Sequence, residues 1–181
     1  MGIKLTVDST CDIEIDRLKE NDVGIAYLKA IDNQTGKEYT DRGISNEELS
    51  ALLESGHRFT TSCPSPADYE TLFTEGLKTH DHIIHLNMSS KKSKSYETAV
   101  MASKEVDADR ISVFDTKQFT TGFGGIVLEV IEYLKSTQDI KEALNLTEDY
   151  INRYEFLGAP NTIKYITKTG RLDATKIAMT E

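Results

Sequence analysis

Cysteine, basic charge and long apolar runs are all scarce in this sequence of 181 residues. The two cysteines, Cys11 and Cys63, are too few for a disulfide scaffold, so we expect both to stay reduced. No segment approaches 18 consecutive apolar residues, and the sequence therefore predicts no membrane-spanning helix. The first ten residues lack a long apolar signal region, which leads us to expect a cytoplasmic protein.

The charge balance of the chain is acidic. Lys and Arg number 21 against 30 Asp and Glu, which gives a formal net charge of −9 at pH 7. Such a surface repels phosphates, so we expect neither a nucleic-acid partner nor docking on an anionic membrane. One local exception is a basic spot formed by Lys91, Lys92 and Lys94.

Short apolar runs alternate with segments of helical spacing along most of the chain. Ile3–Val7, His82–Asn87 and Arg110–Phe114 read as buried strands. Val23–Ile31 is predicted to form one further strand. Gly122, Gly124 and Gly125 precede an apolar stripe at helical spacing, formed by Ile126, Val127, Val130, Ile131 and Leu134. This alternation predicts an α/β fold with a mainly parallel sheet flanked by helices. Composition agrees, since 38% hydrophobic and 28% charged residues are typical of a folded protein.

Polar side chains follow three of the predicted strands, in Asp8-Ser9-Thr10, Ser89-Ser90 and Asp115-Thr116. In open α/β sheets, ligands bind outside the carboxyl ends of the strands. We therefore expect Asp8, Ser89 and Asp115 to lie along one edge of the sheet, and we expect a binding site there.

Motifs that would indicate catalysis or metal binding are weak. The sequence has neither a Walker phosphate-binding loop nor a nucleophile elbow. His80, His82 and His85 occur without a metalloprotease motif or paired cysteines, so we expect no metal ion and no cofactor. A phosphotransferase that uses Asp8 or Asp115 is a third functional hypothesis. A lone aspartate at the end of a strand, however, usually accepts hydrogen bonds from nearby backbone amides.

An ordered series of motifs resembles the DegV family. The matching segments, in chain order, are Val7–Thr10 (VDST), Tyr39–Ser45, Thr61–Ser65 (TSCPS), Ser89–Ala99, Val113–Gly124 and Tyr165–Leu172. The resemblance implies a DegV-type lobe over residues 1–154 and the start of a second α/β domain over residues 155–181. It also implies a protein without catalytic activity of its own, which holds a long-chain fatty acid between two domains.

The same resemblance implies a set of binding residues. Thr61 and Ser93 take the positions whose hydroxyls bind the fatty-acid carboxylate. Residues near that site would be Ser62, Ser89, Ser90 and Lys94. Gly170 and Arg171 match a Gly-Arg pair that contacts the ligand or a partner, and some family members present the acyl chain to a fatty acid kinase.

Two departures from the family pattern bear on function. A turn that is usually Ser-Gly-Thr reads Ser93-Lys94-Ser95 here, which adds bulk and a positive charge. The chain also stops at Glu181, where family members continue, so we expect a second domain that is truncated. The missing wall would leave an apolar face and favour a homodimer through residues 156–181. The alternative reading is a regulatory or interaction protein that has lost ligand binding.

Overall fold

The structure, a computed structural model, describes residues 2–155 of the chain. Its first elements are β1 (Ile3–Asp8), a 3₁₀ turn (Ser9–Cys11), α1 (Ile15–Glu20), β2 (Gly24–Ala26), β3 (Lys29–Asp32), β4 (Glu38–Thr40), α2 (Asn46–Glu54) and β5 (Phe59–Ser62). The later ones are α3 (Pro66–Leu77), β6 (His82–Asn87), α4 (Ser95–Asp107), β7 (Ile111–Asp115), α5 (Thr120–Leu134) and α6 (Ile140–Arg153).

Four strands form a parallel sheet in the order β2-β1-β6-β7. Helices cover both of its faces. Ile84 of β6 packs in one apolar cluster with α5 and α6, and its neighbour Ile83 packs in a second cluster with α3 and α4. Because successive strand residues point to opposite faces, all six residues of β6 are buried. The predicted α/β fold with a mainly parallel sheet is confirmed.

Helix α5 forms the centre of one covering layer. Its buried stripe consists of Phe123, Gly124, Ile126, Val127, Val130 and Ile131. The helical spacing predicted for the apolar stripe is confirmed, and the glycines that precede the stripe lie inside the same helix, because α5 begins at Thr120. Gly124 allows the helix to pack closely: a Cβ atom there would lie 2.5 Å from the carbonyl oxygen of Cys11. Glycine therefore lets α5 lie directly against the turn that follows β1.

A second, smaller sheet is antiparallel and has the strand order β4-β3-β5. The prediction of one strand over Val23–Ile31 is therefore wrong, because β2 pairs with β1 while β3 belongs to this second sheet. The chain leaves the parallel sheet at Leu28, whose N–H donates to Ser9 Oγ at 3.1 Å. The carbonyl of Leu28 accepts from the N–H of Asp41 at 2.7 Å. Periodicity alone does not detect such a crossing, because the stretch is apolar on both sides of it apart from Lys29.

Side-chain caps fix the starts of several helices. Ser45 Oγ accepts from the N–H of Glu48 at the start of α2. Ser65 and Asp68 form a reciprocal capping box at α3, with Pro66 as its first helical residue. Asp139 caps α6. These caps satisfy N–H groups that have no partner within the helix.

No helix among residues 2–155 is both long enough and apolar enough to cross a membrane. The predicted boundary near residue 155 falls at the end of the described range, so the division into two domains stays a prediction. The predicted dimer segment, residues 156–181, lies outside the described residues, as do Gly170 and Arg171.

Candidate functional site

The carboxyl ends of the parallel strands bring three polar residues side by side. In the strand register, Val7 pairs with Leu86 and Asn87 pairs with Asp115. Asp8 and Asp115 therefore end their strands on either side of Asn87, and Ser89 follows two residues later. The prediction that these polar strand ends share one edge of the sheet is confirmed.

Asp8 is fully buried and accepts four hydrogen bonds. Its Oδ1 accepts from the N–H of Thr10 at 3.0 Å and from the Thr10 hydroxyl at 2.6 Å. Its Oδ2 accepts from the Asn87 amide at 2.9 Å and from the Met88 N–H at 2.7 Å. Burial raises the pKa of Asp8, and these donors act in the opposite direction. Asp8 thus ties the turn after β1 to the loop after β6.

Asp115 has a similar role at the end of β7. Its Oδ2 accepts from the Ser90 hydroxyl at 2.5 Å, and its Oδ1 accepts from the N–H groups of Lys117 and Ser90. Both strand-end aspartates therefore bond loop residues, which is the ordinary role of such carboxylates. Among the described residues, no group of three or more His, Cys, Asp or Glu could hold a metal ion.

The three histidines considered for metal binding, His80, His82 and His85, lie in different surroundings. His85 is completely buried and packs edge-on against the rings of Tyr69 and Phe73, and its Nδ1 lies 2.8 Å from Thr6 Oγ1. Burial lowers the pKa of His85 to about 3, so its ring is neutral. His82 contacts Ser112 Oγ, and His80 lies near Asp22 at the opposite end of the sheet.

A cleft of about 760 Å³ separates the edge of the parallel sheet from the small antiparallel sheet. Thr61 of β5 lines one wall, and Ser93, in the loop before α4, lines the other. The structure therefore brings these two predicted residues to one cavity, although 32 positions separate them in sequence. Apolar side chains complete its walls: Leu28, Ile44, Leu49 and Met88.

The other predicted residues take different positions. Ser62, Ser90 and Lys94 line the cleft, whereas Ser89 is buried and does not. The main chain of Ser89 instead shapes the loop, because its carbonyl accepts from the N–H groups of Lys92 and Ser93. The Ser90 hydroxyl donates to Asp115, so its hydrogen is not directed at a ligand.

Ser93 has a hydroxyl that is suited to donate into the cleft. Its Oγ accepts from the N–H of Ser95 at 3.1 Å. A hydroxyl carries one hydrogen and two lone pairs, so this bond uses a lone pair and leaves the hydrogen for a ligand. The neighbouring Lys94 has φ −84° and ψ 7°, which any L-residue can adopt. Lysine at the usual glycine position therefore requires no backbone strain.

The lining of the cleft is basic, in contrast to the whole chain. It contains Lys29, Lys91, Lys92 and Lys94 against the single carboxylate of Asp41. The chain as a whole has a formal net charge of −9 at pH 7. A concave surface with an excess of one charge attracts ligands of the opposite charge. The arrangement of hydroxyls, ammonium groups and apolar walls suits an amphiphile with an anionic head.

Comparison with known proteins decides the family. The family model described as an uncharacterised protein of the DegV family matches residues 2–181. The chain belongs to the DegV family. A DegV domain-containing protein of Caldanaerobacter subterraneus is 32% identical to it over 175 residues, which are 96% of this chain and 62% of that protein. The chain thus spans less than two thirds of the length of this DegV relative.

Two solved structures share the fold of this DegV chain. A DegV family protein from Thermus thermophilus, described by its fatty acid binding, has a TM-score of 0.77 and 31% identity. The match covers 84% of this chain and 54% of that protein. A Thermotoga maritima protein described as revealing fatty acid binding function has a TM-score of 0.71 and 28% identity, over 82% of this chain and 55% of the other.

Sequence reasoning missed some residues of the site. It did not identify the wall formed by Leu28, Ile44 and Leu49, because the small sheet was not predicted. It also missed Asn87, which stands at the end of the apolar run HIIHLN. A buried amide that closes a strand beside two aspartates is the signal that could have identified it.

Proposed function

We propose that this DegV protein binds a long-chain fatty acid in the cleft, with the carboxylate held by the hydroxyls of Thr61 and Ser93. The observation that carries the proposal is that these two hydroxyl residues, from separate structural units, line the same cleft. Fatty acid binding described for the similar Thermus and Thermotoga proteins supports it.

The chemistry of the cleft suits such a ligand. A carboxylate that leaves water needs donors for its lone pairs, and each hydrogen bond to a charged group contributes roughly 1.5–3 kcal/mol net. The Ser93 hydrogen is available for this purpose, and the nearby Lys94 adds positive charge. Burial of the acyl chain against residues such as Leu49 and Met88 would contribute about 0.8 kcal/mol per CH₂ group.

We propose binding without catalysis. Both strand-end aspartates, Asp8 and Asp115, are engaged with loop residues, which weakens the phosphotransferase reading. Presentation of the acyl chain to a fatty acid kinase, contact through Gly170 and Arg171, a homodimer through residues 156–181 and a cytoplasmic location stay predictions. The competing proposal is a DegV-like interaction protein that has lost its ligand.

Mass spectrometry of the denatured, purified chain tests the proposal. We expect a fatty acid to be released from the wild-type chain. A folded variant carrying both Thr61→Val and Ser93→Ala, prepared in parallel, is expected to release much less. Titration with palmitate after delipidation gives an independent reading. Absence of fatty acid together with no palmitate binding would favour the interaction protein instead.

A further inference from the structure

A buried hydrogen-bonded cluster lies beside the loop that carries Ser93. It consists of Tyr69 of α3, Asn87 of β6 and Ser95 of α4, and all three are completely buried. Tyr69 OH lies 2.7 Å from Ser95 Oγ. The Asn87 amide nitrogen lies 3.1 Å from Ser95 Oγ and 3.2 Å from Tyr69 OH.

The cluster is anchored at one end and reaches the binding loop at the other. Asn87 also donates to Asp8, whose carboxylate accepts the Met88 N–H at the cleft wall. At the other end, the N–H of Ser95 donates to Ser93 Oγ. A continuous path of hydrogen bonds therefore runs from the buried edge of the parallel sheet to the hydroxyl of Ser93.

The start of α4 has no side-chain cap, whereas three other helices of the described residues have one. Ser45, Ser65 and Asp139 cap α2, α3 and α6 with their side chains. Lys94 at the N-cap of α4 forms no side-chain cap hydrogen bond, and neither do the N-cap residues of α1 and α5. The first residue of α4, Ser95, is instead hydrogen-bonded through its Oγ to Tyr69 and Asn87. An anchor of this kind fixes where the neighbouring Ser93 hydroxyl stands.

We propose that Tyr69, Asn87 and Ser95 are positioning residues that set the Ser93 hydroxyl for its anionic ligand. This inference rests on the proposed function of Ser93. None of the three lines the cleft, so they act on the ligand only through Ser93 and the loop around it. Because the N–H of Ser95 occupies a lone pair of Ser93 Oγ, the cluster also orients the Ser93 hydrogen.

The test is a double-mutant cycle on palmitate affinity. Tyr69→Phe keeps the buried ring and removes only its hydroxyl. We expect it to weaken palmitate binding roughly two- to ten-fold, the equivalent of one neutral hydrogen bond. Combined with Ser93→Ala, it should have no further effect, because the group it positions is absent. A purely structural role would produce the same loss in both backgrounds.

Controls separate the outcomes. Tyr133→Phe makes the same chemical change in α5, outside the cleft lining, and should leave palmitate affinity unchanged. Ser95→Thr restores a hydroxyl that Ser95→Ala removes, so it should recover affinity. If wild type binds palmitate and Ser93→Ala weakens binding while Tyr69→Phe does not, the positioning role is wrong and the proposed function stands. If Ser93→Ala also has no effect, the proposed carboxylate site itself is wrong.

Discussion

The two sheets of the molecule differ in how far the described residues cover them. All six residues of β6 in the parallel sheet are buried, whereas no residue of β5 in the small sheet is buried. The helices repeat this contrast, since α5 has six buried residues and α2, within the described range, has none. The parallel sheet is built as a stable core, and the small sheet with α2 is built as a wall of the cleft.

Two buried aspartates show the same difference in electrostatic terms. Asp8 in the parallel sheet lies among apolar layers, and desolvation raises its pKa. Asp32 in the small sheet is also desolvated, but hydrogen bonds from Gln34, Thr35 and His57 outweigh this and lower its pKa to about 2. The two regions should therefore respond to acid in opposite directions.

The largest expected difference is in stability. Leu86→Ala, in the completely buried β6, should lower the free energy of unfolding by about 2–5 kcal/mol, because it leaves a cavity in the core. The same change at the half-buried Leu49 of α2 should cost about 1 kcal/mol or less. Urea denaturation of both variants measures this. Equal losses would contradict the assignment of stability to the parallel sheet.

For ligand binding, we expect the larger losses from substitutions at the cleft rather than from substitutions in the core of the parallel sheet. Thr61→Val and Ser93→Ala should each weaken fatty-acid binding by about 1.5–3 kcal/mol, or roughly ten- to a hundred-fold, because each removes a donor to a carboxylate. Their effects should be non-additive, since both serve one anion. Calorimetric titration with palmitate measures them, with Thr60→Val on the neighbouring position of β5 as a matched control.

Stability should depend on pH with opposite signs in the two regions. Asp32 has a folded pKa of about 2 against a reference of 3.8, so its contribution is present above pH 3.8 and is lost as pH falls toward 2. The raised pKa of Asp8 means that its contribution is present below pH 3.8 and is lost as pH rises through the folded value. Unfolding of Asp32→Asn and Asp8→Asn across this range measures both slopes. Profiles parallel to wild type would contradict the assignment.

The smallest expected effect is that of Lys94. Its backbone is unstrained, and its side chain is exposed, so Lys94→Gly should leave stability nearly unchanged. Palmitate affinity should fall by about 1 kcal/mol or less, with a loss that shrinks at high salt, because exposed charges are screened. A loss larger than that of either hydroxyl variant would mean that Lys94 has taken over the carboxylate.

The parallel sheet could be predicted from the sequence because its strands are short apolar runs that end in polar residues. His82–Asn87 matches β6 from end to end. The small sheet could not be predicted, because the largely apolar stretch Val23–Ile31 contributes one strand to each of the two sheets. Apolar periodicity reports which side chains are buried, and it does not report where a strand changes partners.

The candidate site followed the same division. Thr61 and Ser93 were identified by the family motifs, and the structure places both beside one cleft. The cluster of Tyr69, Asn87 and Ser95 was not identified from the sequence. These residues come together only because α3, β6 and α4 pack against one another. A single tyrosine or asparagine carries no motif, and its role depends on neighbours that are distant in sequence.

A structure of the chain with a long-chain fatty acid bound tests the central claim most directly. We predict that the carboxylate lies in the cleft within about 2.5–3.2 Å of both Thr61 Oγ1 and Ser93 Oγ, with the acyl chain against Leu49 and Met88. A carboxylate bound outside the cleft, or held by lysines alone with both hydroxyls out of reach, would contradict the account.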